Sequence, residues 1–181
     1  GSFWRDLSFT KGVSKYIDSH QYDVVQSHER MPGCNIYRAG DGLHVKWLSL
    51  RERAGFGASR FNLYHSYVLD AEKRMFNSSK LKYVICNSKM VMQEIAHFFP
   101  AAKDKCRLIY NGVDLQRFSY PVASEVRQQT RRSLALKEDQ PVLAFVGSGF
   151  QRKGLKQAID AIQAVSKDIA IIVVGGDKNR E

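Results

Sequence analysis

Along the chain, the spacing of apolar positions shifts repeatedly between the helical and the extended period. Trp4, Leu7, Val13, Tyr16 and Ile17 recur at helical spacing and predict a helix over residues 3–20, weakened at Gly12. Tyr22–Val25 and Asn35–Ala39 read as short strands, separated by QSHERMPGCN with its Pro-Gly turn chemistry. Steps of three and four through Phe61, Tyr64, Val68, Leu69 and Phe76 predict the longest helix, over Ala58–Ser79. Tyr83–Cys86 is a strand, Asn87-Ser88 an N-cap, and KMVMQEIAHFF a helix that Pro100 ends. Arg107–Tyr110 is a further strand, followed by an Asn111-Gly112 turn and one amphipathic helix within SYPVASEVRQQTRRSLALKEDQP. The pattern then restarts: strand PVLAFVG, glycine turn, helix KGLKQAIDAIQAVS, strand IAIIVVGG.

Strands alternating with helices, some of them continuous apolar runs such as Ile169–Val174, predict an α/β fold whose parallel strands are covered on both faces. The polar stretch between residues 112 and 140 is the expected domain boundary, because the βαβ unit after it reads as the start of a new sheet. Two strands and one helix are too few to close a core, so the chain reads as a piece of a longer protein, with GS as a cloning scar.

Composition narrows the classes. With 44% hydrophobic and 25% charged residues, a globular chain is expected. No apolar run reaches the roughly 18 residues a spanning helix needs, and GSFWRD lacks the features of a signal peptide. A net charge of +10 favours anionic partners: nucleic acid, lipid headgroups or phosphorylated small molecules. Cys34, Cys86 and Cys106 are widely spaced, with no CxxC and no paired His, and are expected to be reduced thiols.

The stretch FVGSGFQRKGLKQAIDAI holds the clearest candidate chemistry. The turn after a parallel strand faces the ligand crevice, and Gly147, Gly149 and Gly154 allow close backbone approach there. Arg152 and Lys153, expected at the helix start, add positive charge suited to a diphosphate. The spacing is neither GxGxxG nor a Walker loop, so a tight strand-to-helix turn with a basic tip stands beside the phosphate reading.

ICNSKMVMQEI, LIYNGVDLQRF, VLAFVGSGFQRKGLKQAIDAI and IIVVGGD, in that order, resemble the retaining glycosyltransferases of GT-B fold (glycosyl transferases group 1) that use nucleotide-sugar donors. ERMPGCNIYRAGDGLHVKWL further resembles the lipopolysaccharide core glucosyltransferase I group. The resemblance implies two Rossmann-like domains, both incomplete: residues 1–118 the later part of the acceptor-side domain, 119–181 the start of the nucleotide-sugar domain. It also implies glucose transfer from UDP-glucose, with retention, onto a lipopolysaccharide inner-core heptose at the inner face of the bacterial cytoplasmic membrane. No cofactor or metal is expected, and the chain has no DxD triplet. The family's N-terminal glycine loop and paired glutamates are absent, so this piece alone is expected to be inactive.

By the same resemblance Gly147, Ser148, Gly149, Arg152, Lys153 and Gly154 form the diphosphate turn, with Ser148 where many members have arginine. Asp41 matches an aspartate near the sugar site; a turn aspartate before Gly42 is the alternative. Arg152 and Lys153 are expected to stabilise the leaving diphosphate, and Asp41 to contact donor or acceptor. His44 and Arg38 flank Asp41. His28-Glu29-Arg30 points either to the cleft or into solvent, and Lys105 and Arg107 either reach a phosphate or are surface charge. His20, His65 and His97 read as packing or surface residues.

Three alternatives remain. A basic nucleic-acid-binding α/β module is disfavoured, since Lys and Arg are scattered and no nucleic-acid motif occurs. The others are a retaining transferase of different specificity and a scaffold derived from one. The expected partners are a nucleotide sugar, a lipid-linked glycan acceptor and an anionic membrane surface, not nucleic acid.

Overall fold

The computed structural model describes residues 2–55, 62–119, 123–165 and 168–176. The chain divides into two compact units, Gly1–Val113 and Asp114–Glu181, a division slightly ahead of the 118/119 boundary read from the motifs.

The first unit runs α1 (Ser2–Asp18), β1 (Gln26–Ser27), β2 (Ile36–Ala39), α2 (His44–Arg53), α3 (Leu63–Phe76), β3 (Tyr83–Cys86) and α4 (Lys89–Phe98), then a 3-10 turn (Pro100–Lys105) and β4 (Cys106–Leu108). Its four strands are all parallel, in the order β1-β2-β3-β4. Tyr37 pairs with Val84 and Ala39 with Cys86, so one face of the sheet carries a row of fully buried side chains. Tyr37 meets Phe76 of α3 edge-on, and Phe76 stacks on Phe99 at 4.5 Å. Burial of one such ring contributes about 1.5–3 kcal/mol, and these contacts fix α3 and α4 against the sheet.

Local chemistry sets the ends of α3 and α4. Asn62 Oδ1 accepts from the Tyr64 amide at 2.9 Å and starts α3, while Ser88 Oγ accepts from the Val91 amide at 3.2 Å and starts α4. The helix predicted over 58–79 is thus Leu63–Phe76, and residues 56–61 lie outside the described residues. Three expectations shift. Tyr22–Val25 is not a strand; pairing begins at Gln26, because the Asn35 side chain takes the Val25 amide at 2.9 Å. The last strand of this unit ends at Leu108, leaving Ile109 and Tyr110 exposed. α2 lies where no helix was predicted.

The second unit contains α5 (Ser124–Ser133), β5 (Val142–Val146), α6 (Phe150–Lys153), α7 (Leu155–Val165) and β6 (Ala170–Val174). β5 and β6 pair in parallel, Val142 with Ala170 through Val146 with Val174. Among the described residues every fully buried side chain belongs to the first unit, and here Leu143, Val146, Val173 and Val174 remain exposed.

Candidate functional site

In the first unit the strand carboxyl ends lead into four loops: His28–Arg30, Gly40–Leu43, Asn87–Ser88 and Ile109–Asn111. This is the edge at which open parallel sheets bind ligands. Side chains cross-tie the loops. Asn87 Nδ2 donates to the Gly40 carbonyl at 3.0 Å, and Arg38 Nη2 donates to Asn111 Oδ1 at 2.6 Å.

Asp41 lies exposed in the loop after β2, and its carboxylate accepts no hydrogen bond among the described residues. The loop around it is held firmly. Arg30 Nη2 donates to the Gly42 carbonyl at 3.0 Å. Glu72 of α3 accepts the His44 amide on Oε1 at 2.8 Å and the Val45 amide on Oε2 at 3.1 Å. Leu43 at the N-cap of α2 offers no side-chain acceptor, so Glu72 supplies from another helix what a local cap would.

Glu72 is only 1% exposed and pairs with Arg30 Nε at 3.0 Å. Burial opposes the Arg30 charge, but Tyr37, Glu72 and Asp41 together more than offset this and raise its pKa. The triplet His28-Glu29-Arg30 therefore divides: His28 stays exposed beside Gln26, while Arg30 turns inward. Glu72 was missed by sequence reasoning. The available signal was a charged residue on the apolar stripe of the predicted helix.

His44 stacks on Trp47 at 5.4 Å, and its Nε2 meets His65 Nδ1 at 3.1 Å. Burial first, then the Arg30 charge and His65, push the His44 pKa down to about 4, so its ring is neutral near pH 7. His65, read as a packing residue, joins this cluster. Beside it a cleft of about 380 Å³ opens between α1 and α3, lined by Arg5, Asp6, Arg30, His44, Tyr64 and Tyr67 among others.

Lys105 is at the opposite end of the sheet. It ends the 3-10 turn that enters β4, and its Nζ donates to the Ser78 carbonyl at 3.0 Å. The expected diphosphate contact by Lys105 is therefore corrected: the residue closes the amino edge of the sheet. Arg107 is likewise committed, donating to the Asp104 and Cys106 carbonyls and lying over the Tyr83 ring.

In the second unit the turn after β5 gathers the remaining candidates. Gly147 closes onto the Val174 carbonyl at 2.8 Å, and Gly149, left-handed at φ 76°, precedes the four-residue α6. Gly154, at φ 80°, ends α6 before α7 begins. Arg152 and Lys153 thus occupy the last turn of a short helix, not the start of a long one, which corrects the expectation. Both side chains fold back over the turn. A Cβ on Gly147 would stand 2.8 Å from Lys153 Nζ, and one on Gly149 would stand 3.6 Å from Arg152 Nε. Among the described residues neither cation pairs with a carboxylate, and Ser148 is exposed between the two glycines.

Cys34, Cys86 and Cys106 are all buried and free, and burial pushes the Cys34 thiol up to about 11. Among the described residues no group of three or more His, Cys, Asp and Glu side chains is placed to hold a metal ion, and no helix is long and apolar enough to cross a membrane.

Residues 1–117 match a protein-family model, Glycosyltransferase Family 4. The lipopolysaccharide glucosyltransferase WaaG of Escherichia coli (strain K12) is 23% identical over 181 residues, covering 98% of this chain and 48% of the relative. A D-inositol 3-phosphate glycosyltransferase of Xylanimonas cellulosilytica is 25% identical over 185 residues, covering 96% and 43%. The chain therefore spans about half the length of the curated relatives it matches. The crystal structure of WaaG, described as a glycosyltransferase involved in lipopolysaccharide biosynthesis, superposes with a TM-score of 0.76 at 21% identity, over 97% of this chain and 48% of that one. The α/β fold is thus GT-B, as the motifs implied. With a family model covering its first 117 residues and relatives of one kind along nearly its whole length, the chain belongs to glycosyltransferase family 4.

Proposed function

We infer that the protein containing this chain transfers a sugar from a nucleotide-sugar donor to a glycan acceptor, with glucose from UDP-glucose and a lipopolysaccharide inner-core acceptor as the specific pair. The observation that carries the reading is the turn after β5, where two cations without carboxylate partners among the described residues lie over Gly147 and Gly149. That arrangement suits a diphosphate: a turn bare of side chains at Gly147 and Gly149, although the Gly147 amide itself is taken by the Val174 carbonyl, and two positive charges beside it. Gly147, Ser148, Gly149 and Gly154 shape the turn, and Arg152 and Lys153 neutralise the leaving diphosphate.

Asp41, in the acceptor-side unit, contacts a sugar of the donor or of the acceptor. In the reaction the bond from the anomeric carbon to the diphosphate oxygen breaks and a bond to the acceptor hydroxyl oxygen forms on the same face. The hydroxyl proton passes to the departing diphosphate. Positioning and electrostatic stabilisation of the leaving group supply most of the rate, without a cofactor or a metal. The choice of glucose and of a lipopolysaccharide acceptor is supported by the likeness to the E. coli lipopolysaccharide glucosyltransferase. A second reading, transfer to another acceptor, is supported by the likeness to D-inositol 3-phosphate glycosyltransferases. The +10 charge supports association with an anionic membrane surface on the cytoplasmic side, weakening as salt rises.

The test is a panel of nucleotide sugars offered to the full-length protein, with Arg152→Ala/Lys153→Ala beside it. Turnover is expected with UDP-glucose foremost, and the double variant is expected to lose it while retaining its thermal transition. Full turnover in the folded double variant would remove the diphosphate assignment.

A further inference from the structure

We propose that Glu72, acting with Arg30, is a positioning residue that holds the Gly40–Val45 segment, and with it Asp41, in the geometry needed for sugar transfer. The proposal rests on the reading of Asp41 as a sugar contact given above.

The segment is tied on both sides of Asp41. Asn87 holds the Gly40 carbonyl, Arg30 holds the Gly42 carbonyl, and Glu72 holds the His44 and Val45 amides. These ties leave the Asp41 carboxylate without a hydrogen bond among the described residues, within the influence of the Arg30 charge. One guanidinium spans two of the tethers, since Arg30 Nε bonds Glu72 and its Nη2 bonds Gly42. Movement of Glu72 therefore moves both.

Helix initiation alone does not call for this arrangement. α3 and α4 begin with single polar caps, Asn62 and Ser88, and a Ser, Asp or Asn at position 43 would serve α2 equally well. Instead the sequence has Leu43, which is buried, and takes its cap from a carboxylate 28 residues away. Burying an ion pair costs desolvation that apolar packing avoids, so what the pair adds is fixed geometry. Oε1 is shared by Arg30 Nε and the His44 amide, Oε2 takes Val45, and the carboxylate plane sets where the loop leaves β2 and enters α2.

The test uses the full-length protein with UDP-glucose as the probe, reading kcat, KM and amide exchange in Glu72→Gln, Arg30→Lys and Asp41→Asn. Glu72→Gln keeps the side chain's size but turns one acceptor into a donor facing a backbone amide. Arg30→Lys keeps the charge pair and loses the fork to Gly42, so it carries the same readouts should Glu72→Gln not fold. Displacement of a reacting group by about 1 Å costs on the order of 100-fold, so kcat is expected to fall by about 10- to 100-fold in Glu72→Gln and by less in Arg30→Lys. KM for UDP-glucose is expected to be nearly unchanged. Exchange at His44 and Val45 is expected to quicken while α3 and α4 stay protected. In an Asp41→Asn background, Glu72→Gln is expected to add almost no further loss, because both changes remove the same contact.

A fully multiplicative loss in that background, or unchanged exchange at His44 and Val45, would overturn the positioning role. So would wild-type kcat in folded Glu72→Gln beside a slow Asp41→Asn. A wild-type rate for Asp41→Asn would overturn the reading of Asp41 and this proposal with it, which separates the two failures.

Discussion

The ammonium of Lys153 lies so close over Gly147 that a Cβ on the glycine would stand 2.8 Å from Nζ and 2.8 Å from Cδ. On its other side Gly147 meets Gly175, whose added Cβ would fall 2.1 Å from the Gly147 carbonyl oxygen. The two glycines serve different ends. Gly147 makes room for a flexible side chain, while Gly175 makes room for backbone.

Alanine at each position should separate these roles. Gly147→Ala is expected to shift Lys153, which can swing aside, and to weaken UDP binding to the full-length protein by about 10-fold, equivalent to 1.4 kcal/mol. Both glycines lie at positive φ, 150° and 138°, where any side chain is strained, so that cost is common to the two variants. Gly175→Ala pushes on a carbonyl that cannot yield without parting the turns after β5 and β6. It is expected to cost at least about 2 kcal/mol of stability. Isothermal titration with UDP and denaturant melts on both variants make the comparison, and equal stability losses would contradict it.

His44 predicts a pH dependence whose sign follows from its depressed pKa. The ring takes up a proton near 6.5 in an unfolded chain and near 4 in the folded one. As pH falls from 6.5 toward 4, the unfolded state binds a proton that the folded state refuses, so this contribution to stability is present above 6.5 and declines through the window. Melts at pH 7, 6 and 5 are expected to show the decline, and His44→Phe, which retains a ring beside Trp47, is expected to flatten it. An unchanged slope in His44→Phe would place the titration on other groups.

Most of the fold was legible because local pattern and burial agree. The strand at Tyr83–Cys86 and the helix after Ser88 carry their limits in their own residues: alternating burial, a serine cap and Pro100. α2 was invisible for the opposite reason. HVKWLSLRER buries none of its residues fully, and its cap comes from Glu72, so nothing near it in the sequence announces its start. β1 was misplaced because the apolar Tyr22 and Val24 are exposed, while the buried position is Ser27. At the site, the glycines and the two cations after β5 were legible as a motif. The break at Gly154, which makes two helices of the expected one, depends on a left-handed backbone that spacing does not reveal. The wrong placement of Lys105 has a topological cause: strand order decides which edge a residue preceding β4 occupies.

Two ion pairs of similar length that involve α3 allow one further prediction. Arg30 and Glu72 meet at 3.0 Å with side chains 20% and 1% exposed; Asp70 and Arg74 meet at 2.8 Å with side chains 60% and 59% exposed. Environment, not distance, should decide their worth. Asp70→Ala removes a solvated i,i+4 pair and is expected to cost less than about 0.5 kcal/mol. Glu72→Ala leaves a largely buried guanidinium without its counter-charge and two helix amides without an acceptor, and is expected to cost about 3–5 kcal/mol. Urea midpoints at an unchanged m value give both numbers. The double variant Arg30→Met/Glu72→Met removes the stranded charge and fills the space, so it is expected to regain part of the stability lost in Glu72→Ala. It should not regain turnover, since neither methionine holds Gly42, His44 or Val45. A double variant recovering stability and activity together would show that the pair serves packing alone.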